Sequence, residues 1–206
     1  MTPKFSKLYI TLKFRLHGMG FIDALRALEF GRDIHDGYRK DGTTPEYQHQ
    51  LEIALYILTL KDVQFLETSI ICALLHDVME DYLEKADGLT IQKMFGDGIL
   101  NRLNLLNKNL WPSYDVYFAQ LGNDETASLV KLADRVNNFQ SMNRGNFSIE
   151  KQIKYAHEVD HFFLPMAKKA RKNFPRQMDA YYNVETMLKH QHELVTLFIK
   201  SYKNSK

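Results

Sequence analysis

The sequence predicts an all-α protein. Apolar residues recur at helical spacing in one segment after another, as in Leu51, Ala54, Leu55 and Leu58, or Leu129, Leu132, Ala133 and Val136. Turn-forming residues fall between those segments rather than inside them. Only one stretch, Ile10 to His17, alternates apolar and polar residues with the period of a strand.

That stretch lies in a basic, acid-free N-terminus. Ile10, Leu12, Phe14 and Leu16 alternate with Thr11, Lys13, Arg15 and His17, so residues 1–20 read as a strand-like extension packing on the rest. Gly18 and Gly20 close it. Leu25, Leu28 and Ile34, with small Ala24, Ala27 and Gly31, predict a helix over 21–34 that ends at His35. Residues 36–45 are rich in turn formers and predict a loop holding Arg39 and Lys40. A helix then begins near Gln48, with His49 in its first turn, and another runs over 65–81.

Residues 84–90 predict a loop ended by Thr90 as the next helix cap, before a short helix carrying Ile91, Met94 and Phe95. Further helices are expected over 99–110, 114–121 and 126–140, with a break at Trp111-Pro112-Ser113. Residues 148–172 predict a long helix bent or broken by Pro165. The last helix, over 177–201, has the stripe Val184, Met187, Leu188, Gln191, Leu194, Val195 and Phe198. The expected organisation is an extension over 1–20, a helical domain over 21–175, and a C-terminal helix over 176–206 that packs on the domain or at a dimer seam.

Composition narrows the function. The chain has 206 residues, 45% of them hydrophobic and 25% charged, which allows a sizeable core in a globular protein. A formal net charge of +2 is too small to argue for nucleic acid. The single cysteine, Cys72, excludes an intramolecular disulfide and reads as a small buried hydrophobe. No membrane-length apolar run and no signal-peptide core are visible, so the expectation is a cytoplasmic protein, monomer or homodimer.

The chemistry concentrates at residues 70–81. Ile70-Ile71-Cys72-Ala73-Leu74-Leu75 is apolar all round and belongs in a core. It runs directly into His76, Asp77, Glu80 and Asp81, which share one arc of a regular helix. Such groups are costly at the end of a buried helix unless they are paired or bound, and a metal ion neutralises carboxylates while accepting a neutral imidazole. The alternative is a helix emerging into solvent. Asp134, at the edge of the apolar arc of the 126–140 helix, also needs a partner, either an ion or a neighbour such as Lys131 or Asn138.

A second motif competes. His157-Glu158-Val159-Asp160-His161 matches the zinc-peptidase pattern H-E-x-x-H, in which two histidines one turn apart hold zinc and the glutamate is the base. Glu185 is the one candidate third ligand. Surface or core roles for these histidines are the simpler reading.

Six blocks in order resemble the HD superfamily of metal-dependent phosphohydrolases, and within it the hydrolase domain of the RelA/SpoT group, which removes the 3′-pyrophosphate of ppGpp. They are Ala27 to His35 with Gly37 to Gly42; His49 with Ala54; Ala73-Leu74-Leu75-His76-Asp77 with Glu80-Asp81; Ile91 to Gly96; Val130 to Arg135 with Asn138; and Glu158 with Phe163 to Ala167. They span residues 22–170, and no synthetase-like segment follows, so the resemblance is to the small, hydrolase-only members. Gln50 stands where the family usually has proline, Asn137 where it often has histidine, and the segment 43–48 is more polar and about one residue longer.

The resemblance implies an HD helical bundle with one divalent ion, Mn²⁺, held by His49, His76, Asp77 and Asp134. Glu80 and Asp81 would activate and orient water, Arg39 and Lys40 would contact base and phosphates, and Asn138 and Ser141 would line the nucleotide pocket. The implied substrate is ppGpp or pppGpp. The alternatives are another phosphorylated nucleotide, such as NADPH or a deoxynucleoside triphosphate, and, more distantly, a zinc metallopeptidase or a metal-bound regulator without turnover.

Overall fold

The computed structural model describes residues 2–39, 41–142 and 147–204. Its regular elements are helical, and the only β pairing among the described residues is an isolated bridge between Tyr38 and Pro45. The helices are α1 (Pro3–Met19), α2 (Ile22–Ile34), α3 (Gln48–Ile57), α4 (Leu66–Leu75), α5 (Val78–Asp81), α6 (Gly88–Phe95), α7 (Asp97–Leu106), α8 (Tyr114–Leu121), α9 (Glu125–Ser141), α10 (Ile149–Glu158), α11 (Leu164–Asn173) and α12 (Met178–Asn204).

The centre is α4. Every residue from Ser69 to Leu75 is buried, and α2, α3, α7 and α9 pack around it. The all-round apolar character of this segment is therefore matched by apolar neighbours on every side. Tyr47, directly before α3, is fully buried and donates to the carbonyl of Leu28 at 3.2 Å. Gly31 makes that approach possible, because a Cβ there would lie 2.5 Å from the Tyr47 hydroxyl. This wedge sets where α3 begins, and hence where His49 stands.

The N-terminus corrects the strand-like expectation. Residues 3–19 form α1, capped by the Thr2 hydroxyl, with Phe5, Leu12 and Leu16 buried against α2 and α3. These three residues fit a 3.6-residue period; the alternation around them came from exposed Ile10 and Phe14. Asp87, not Thr90, caps α6, accepting from the Thr90 amide at 2.8 Å. The bend near Pro165 is a π turn over Val159–Phe163, in which the Leu164 amide reaches back to the Val159 carbonyl. Pro165 has no amide hydrogen and its ring crowds the preceding turn, which favours the wider loop.

In α12, Ala180, Tyr181, Val184, Leu188, Val195 and Ile199 are buried, and the helix packs on α9, α10 and α11. Among the described residues no helix is long and apolar enough to cross a membrane.

Candidate metal centre and its two clefts

The expected continuous helix over 65–81 is interrupted at the residues that matter. α4 ends at Leu75, His76 and Asp77 form a turn, and α5 resumes at Val78. Asp77 has φ −90° and ψ −11°, in the sparsely populated bridge region. Consecutive residues on a regular helix diverge by 100°, so two neighbours cannot easily face one point. At the turn they do: His76 Nε2 lies 3.2 Å from Asp77 Oδ1 and 4.0 Å from Asp134 Oδ1.

The other two groups come from α3 and α9. His49 Nε2 lies 3.0 Å from Asp134 Oδ1, and both side chains are 8% exposed. Among the described residues, His49, His76 and Asp77 are the one group of three or more candidate ligands whose donor atoms converge within 4.8 Å. Asp134 adds its carboxylate through the contacts to both imidazoles.

The tautomers follow from the hydrogen bonds. His76 Nδ1 is 2.9 Å from the Ala73 carbonyl, which only accepts, so that nitrogen carries the proton. His49 Nδ1 is 2.7 Å from Asn137 Oδ1. That oxygen is assigned by its own amide, since Asn137 Nδ2 donates to Glu52 Oε2 at 3.0 Å. Each neutral imidazole thus turns an Nε2 lone pair toward carboxylate oxygens. Lone pairs facing carboxylates at such distances require a proton or a cation between them, and a mixed imidazole and carboxylate set fits a divalent transition ion.

Neighbours fix the carboxylates. Asp134 Oδ1 accepts from Asn138 Nδ2 at 2.7 Å, and Asp134 Oδ2 pairs with Lys131 at 3.2 Å. Both neighbours proposed for Asp134 from the sequence therefore contact it, in addition to the imidazoles. Asp77 Oδ2 accepts from Gln50 Nε2 at 2.9 Å. Burial pushes the Asp134 carboxyl up, but the Lys131 charge and then the His49 hydrogen bond outweigh it and hold it well below its ordinary value. Glu80 contacts the Lys108 ammonium. Desolvation, then the negative charges of Asp77 and Glu80, push the Asp81 carboxyl up.

Two clefts flank the cluster. The smaller, about 240 Å³, is bounded by His49, Asp77 and Asp81 on one side and by Arg39, Glu46, Tyr82 and Phe147 on the other. The larger, about 470 Å³, reaches Asp134 and Asn138 and gathers Lys108, Lys131, Arg135, Lys151 and Lys154. Lys151 borders both. The first carries three carboxylates, Glu46, Asp77 and Asp81, beside Arg39 and Lys151, and the second sets five cations against Asp134, Glu150 and Glu158.

Of the residues expected at the site, His49, His76, Asp77 and Asp134 come together, Asp81 and Arg39 border the smaller cleft, and Asn138 borders the larger. Ser141 is buried and lines neither cleft. Lys40 lies outside the described residues. Sequence reasoning noted Asn137 and Gln50 only as departures from the family and gave them no role, and it missed Lys151 and Lys154 of α10. Asn137 carried a usable signal, being three residues after Asp134 and so on the same helix face. Lys151 and Lys154 carried none, because no local pattern says which helix will face the centre.

The H-E-x-x-H residues do not assemble. Glu158 turns inward and pairs with Arg135 at 2.7 Å, while His157 and His161 are exposed with rings stacked 3.8 Å apart. Glu185 pairs with Arg171 and Lys189.

The chain resembles known proteins in sequence and in fold. Residues 27–105 match the family model of the HD domain. The chain is 28% identical over 158 residues to a GTP pyrophosphokinase of Myxococcus xanthus, covering 70% of this chain and 20% of that protein. It is 28% identical over 153 residues to a probable guanosine-3′,5′-bis(diphosphate) 3′-pyrophosphohydrolase of Synechocystis, with the same coverage of 70% and 20%. The chain thus spans about a fifth of the length of these curated relatives. Among solved structures, a metazoan ortholog of SpoT, described as hydrolysing ppGpp, superposes with a TM-score of 0.59 at 22% identity, over 84% of this chain and 94% of that one.

Proposed function

We propose that this chain, an HD-domain protein, is a metal-dependent phosphohydrolase that removes the 3′-pyrophosphate of ppGpp or pppGpp. The observation that carries the reading is the pair of imidazole lone pairs, on His49 and His76, facing the carboxylates of Asp77 and Asp134 in a desolvated cluster. The activities named for the Synechocystis relative and the metazoan SpoT ortholog support the substrate. We assign one divalent ion, Mn²⁺, to the four ligands. When bound, it would neutralise phosphate charge and lower the pKa of a coordinated water.

The chain's own residues do the rest. Glu80 and Asp81, one turn beyond two of the ligands, orient water and take its proton. A raised carboxyl pKa at Asp81 suits it to return a proton. Water oxygen bonds to the phosphorus that carries the ribose O3′, the P–O3′ bond breaks, pyrophosphate leaves, and O3′ takes up the proton. The cations of the larger cleft hold the phosphates, since phosphoryl transfer depends mainly on positioning and charge neutralisation. Arg39 would contact the nucleotide from the loop before α3, a role that the resemblance also implies for Lys40, and Asn138 holds Asp134 while bordering the larger cleft. A soluble nucleotide substrate and a buried lone cysteine fit a cytoplasmic enzyme.

The test is turnover of ppGpp with Mn²⁺ and identification of GDP and pyrophosphate as products. Glu80→Gln should lower kcat by about 10²–10⁴-fold while Mn²⁺ still binds. Hydrolysis of NADPH or a deoxynucleoside triphosphate with ppGpp untouched would reassign the substrate. Mn²⁺ binding with no turnover of any nucleotide would replace the enzyme by a regulator.

A further inference from the structure

The two clefts differ in charge, and the difference leaves one residue unexplained. The larger cleft is built for phosphate. The smaller one is less so: Glu46 joins Asp77 and Asp81 there, against Arg39 and Lys151. A third negative group would repel a polyphosphate, so this cleft receives a different part of the ligand. Its volume, about 240 Å³, is below the roughly 300 Å³ of pockets that enclose a whole drug-sized ligand, which also fits a fragment.

Glu46 is held in place. Tyr82 Oη donates to Glu46 Oε2 at 2.7 Å, and the Tyr82 ring packs against His35 with centroids 4.5 Å apart. The Glu46 amide donates to the Gly37 carbonyl at 3.1 Å, which ties the residue to the loop carrying Arg39. Tyr82 is the side chain that donates to Glu46 among the described residues, and Arg39 borders the same cleft. A carboxylate has about four acceptor positions and Tyr82 uses one. Arg39 and Phe147 supply a guanidinium plane and an aromatic face, the groups on which a base stacks.

We infer that Glu46 reads the hydrogen-bond donor edge of a guanine base in the smaller cleft. Guanine presents N1–H and the 2-amino group side by side, two donors that one carboxylate accepts together. Adenine places an acceptor, N1, beside its 6-amino donor, and an unprotonated carboxylate opposite that acceptor is repelled. The inference rests on the guanine-nucleotide reading above, and it names the residue that makes the choice.

Equilibrium binding of GMP, IMP, AMP and 2′-deoxy-GMP to the Mn²⁺-loaded protein tests it. Wild type should prefer GMP to AMP by about tenfold or more, the size expected for a charged hydrogen bond, with IMP between them. Glu46→Gln should remove most of that preference, by weakening GMP and easing the repulsion of AMP, while Mn²⁺ affinity stays as it was, which shows that the fold is intact. Tyr82→Phe, which keeps the charge and removes the tether, should weaken GMP and leave AMP unchanged. Equal binding of GMP and AMP by wild type overturns the inference. So does a preference that survives in Glu46→Gln, or a loss in 2′-deoxy-GMP as large as that in AMP, which would assign Glu46 to the ribose. A guanine preference lost in Glu46→Gln, in a protein that does not cleave ppGpp, would uphold Glu46 as the base reader and remove only the proposed substrate.

Discussion

Gln50 Nε2 donates to Asp77 Oδ2 at 2.9 Å, from the position directly after His49. His35 Nδ1 is bonded to the Gly31 carbonyl at 2.8 Å, so His35 Nε2 is an acceptor, and it lies 3.4 Å from the same amide nitrogen. Both amide hydrogens are therefore directed at acceptors, while Gln50 Oε1 is buried with no partner. Gln50→Leu removes that unsatisfied oxygen together with the support for Asp77. The expected outcome is a split: Mn²⁺ affinity falls by about tenfold or more, while the melting temperature of metal-free protein holds or rises. Calorimetric titration and thermal scans measure the two. A fall in both would mean that Gln50 serves only packing.

Asn137 makes the same argument from α9. Its oxygen fixes the His49 proton on Nδ1 and so leaves Nε2 for the cation. Asn137→Leu should weaken Mn²⁺ binding by about 10–100-fold, the usual cost of losing such an outer partner. Asn137→Asp keeps an acceptor for His49 but places a negative charge beside Glu52. It should retain Mn²⁺ affinity while losing stability without metal. Equal affinity in wild type and Asn137→Leu would show that the ring orientation is set by packing alone.

Titration gives a third test. Burial pushes the His49 imidazole down, but the hydrogen bond and charge of Asp134 outweigh burial, and the net pKa lies above its ordinary 6.5. Without metal, His49 therefore contributes stability that is fully present below its unfolded pKa and is lost as pH rises through the higher folded value. Asp134 has the opposite sign: its contribution is present above its unfolded pKa and is lost as pH falls through the depressed folded one. A divalent ion needs the neutral imidazole and must displace the His49 proton. Metal-free protein should melt at lower temperature as pH rises from about 6 to 8, while the gain from saturating Mn²⁺ grows over the same interval. Titrations in buffers of different ionisation enthalpy should show proton release on binding. A gain from Mn²⁺ that shrinks with pH contradicts the assigned ligands.

The sequence made the cluster of His49, His76, Asp77 and Asp134 legible and the shape around it less so. His76 and Asp77 stood out because they end an all-apolar run, and burial of α4 is what makes that pattern informative. Their turn was not legible, because nothing in Leu75-His76-Asp77-Val78 breaks a helix; the turn is set by packing and by the ligands' convergence. α1 was misread because exposed Ile10 and Phe14 imitate a strand's alternation, and the true stripe of Phe5, Leu12 and Leu16 becomes clear only once α2 and α3 are placed. The second cleft was invisible for a different reason. Its cations come from α9, α10 and the segment after α7, which are distant in sequence and share no local period.

Glu158 shows how a short motif can mislead, and it supplies the last prediction. Its carboxylate and the Arg135 guanidinium are 6% and 9% exposed, 2.7 Å apart, with the guanidinium 3.9 Å from the centre of the Tyr155 ring and 4.3 Å from that of Phe163. Removing one partner of such a pair leaves the other charge buried. Glu158→Gln should therefore cost about 3–5 kcal/mol of stability, read by denaturant unfolding, with Mn²⁺ affinity unchanged. His157→Ala and His161→Ala alter exposed side chains and should stay within about 0.5 kcal/mol of wild type, also with Mn²⁺ affinity unchanged. A peptidase centre requires the reverse: metal lost with either histidine, and activity lost in Glu158→Gln at little cost in stability. The inward turn of Glu158 toward Arg135 explains why only the first pattern is expected, since a carboxylate held in a buried ion pair is not placed to activate water beside two exposed histidines.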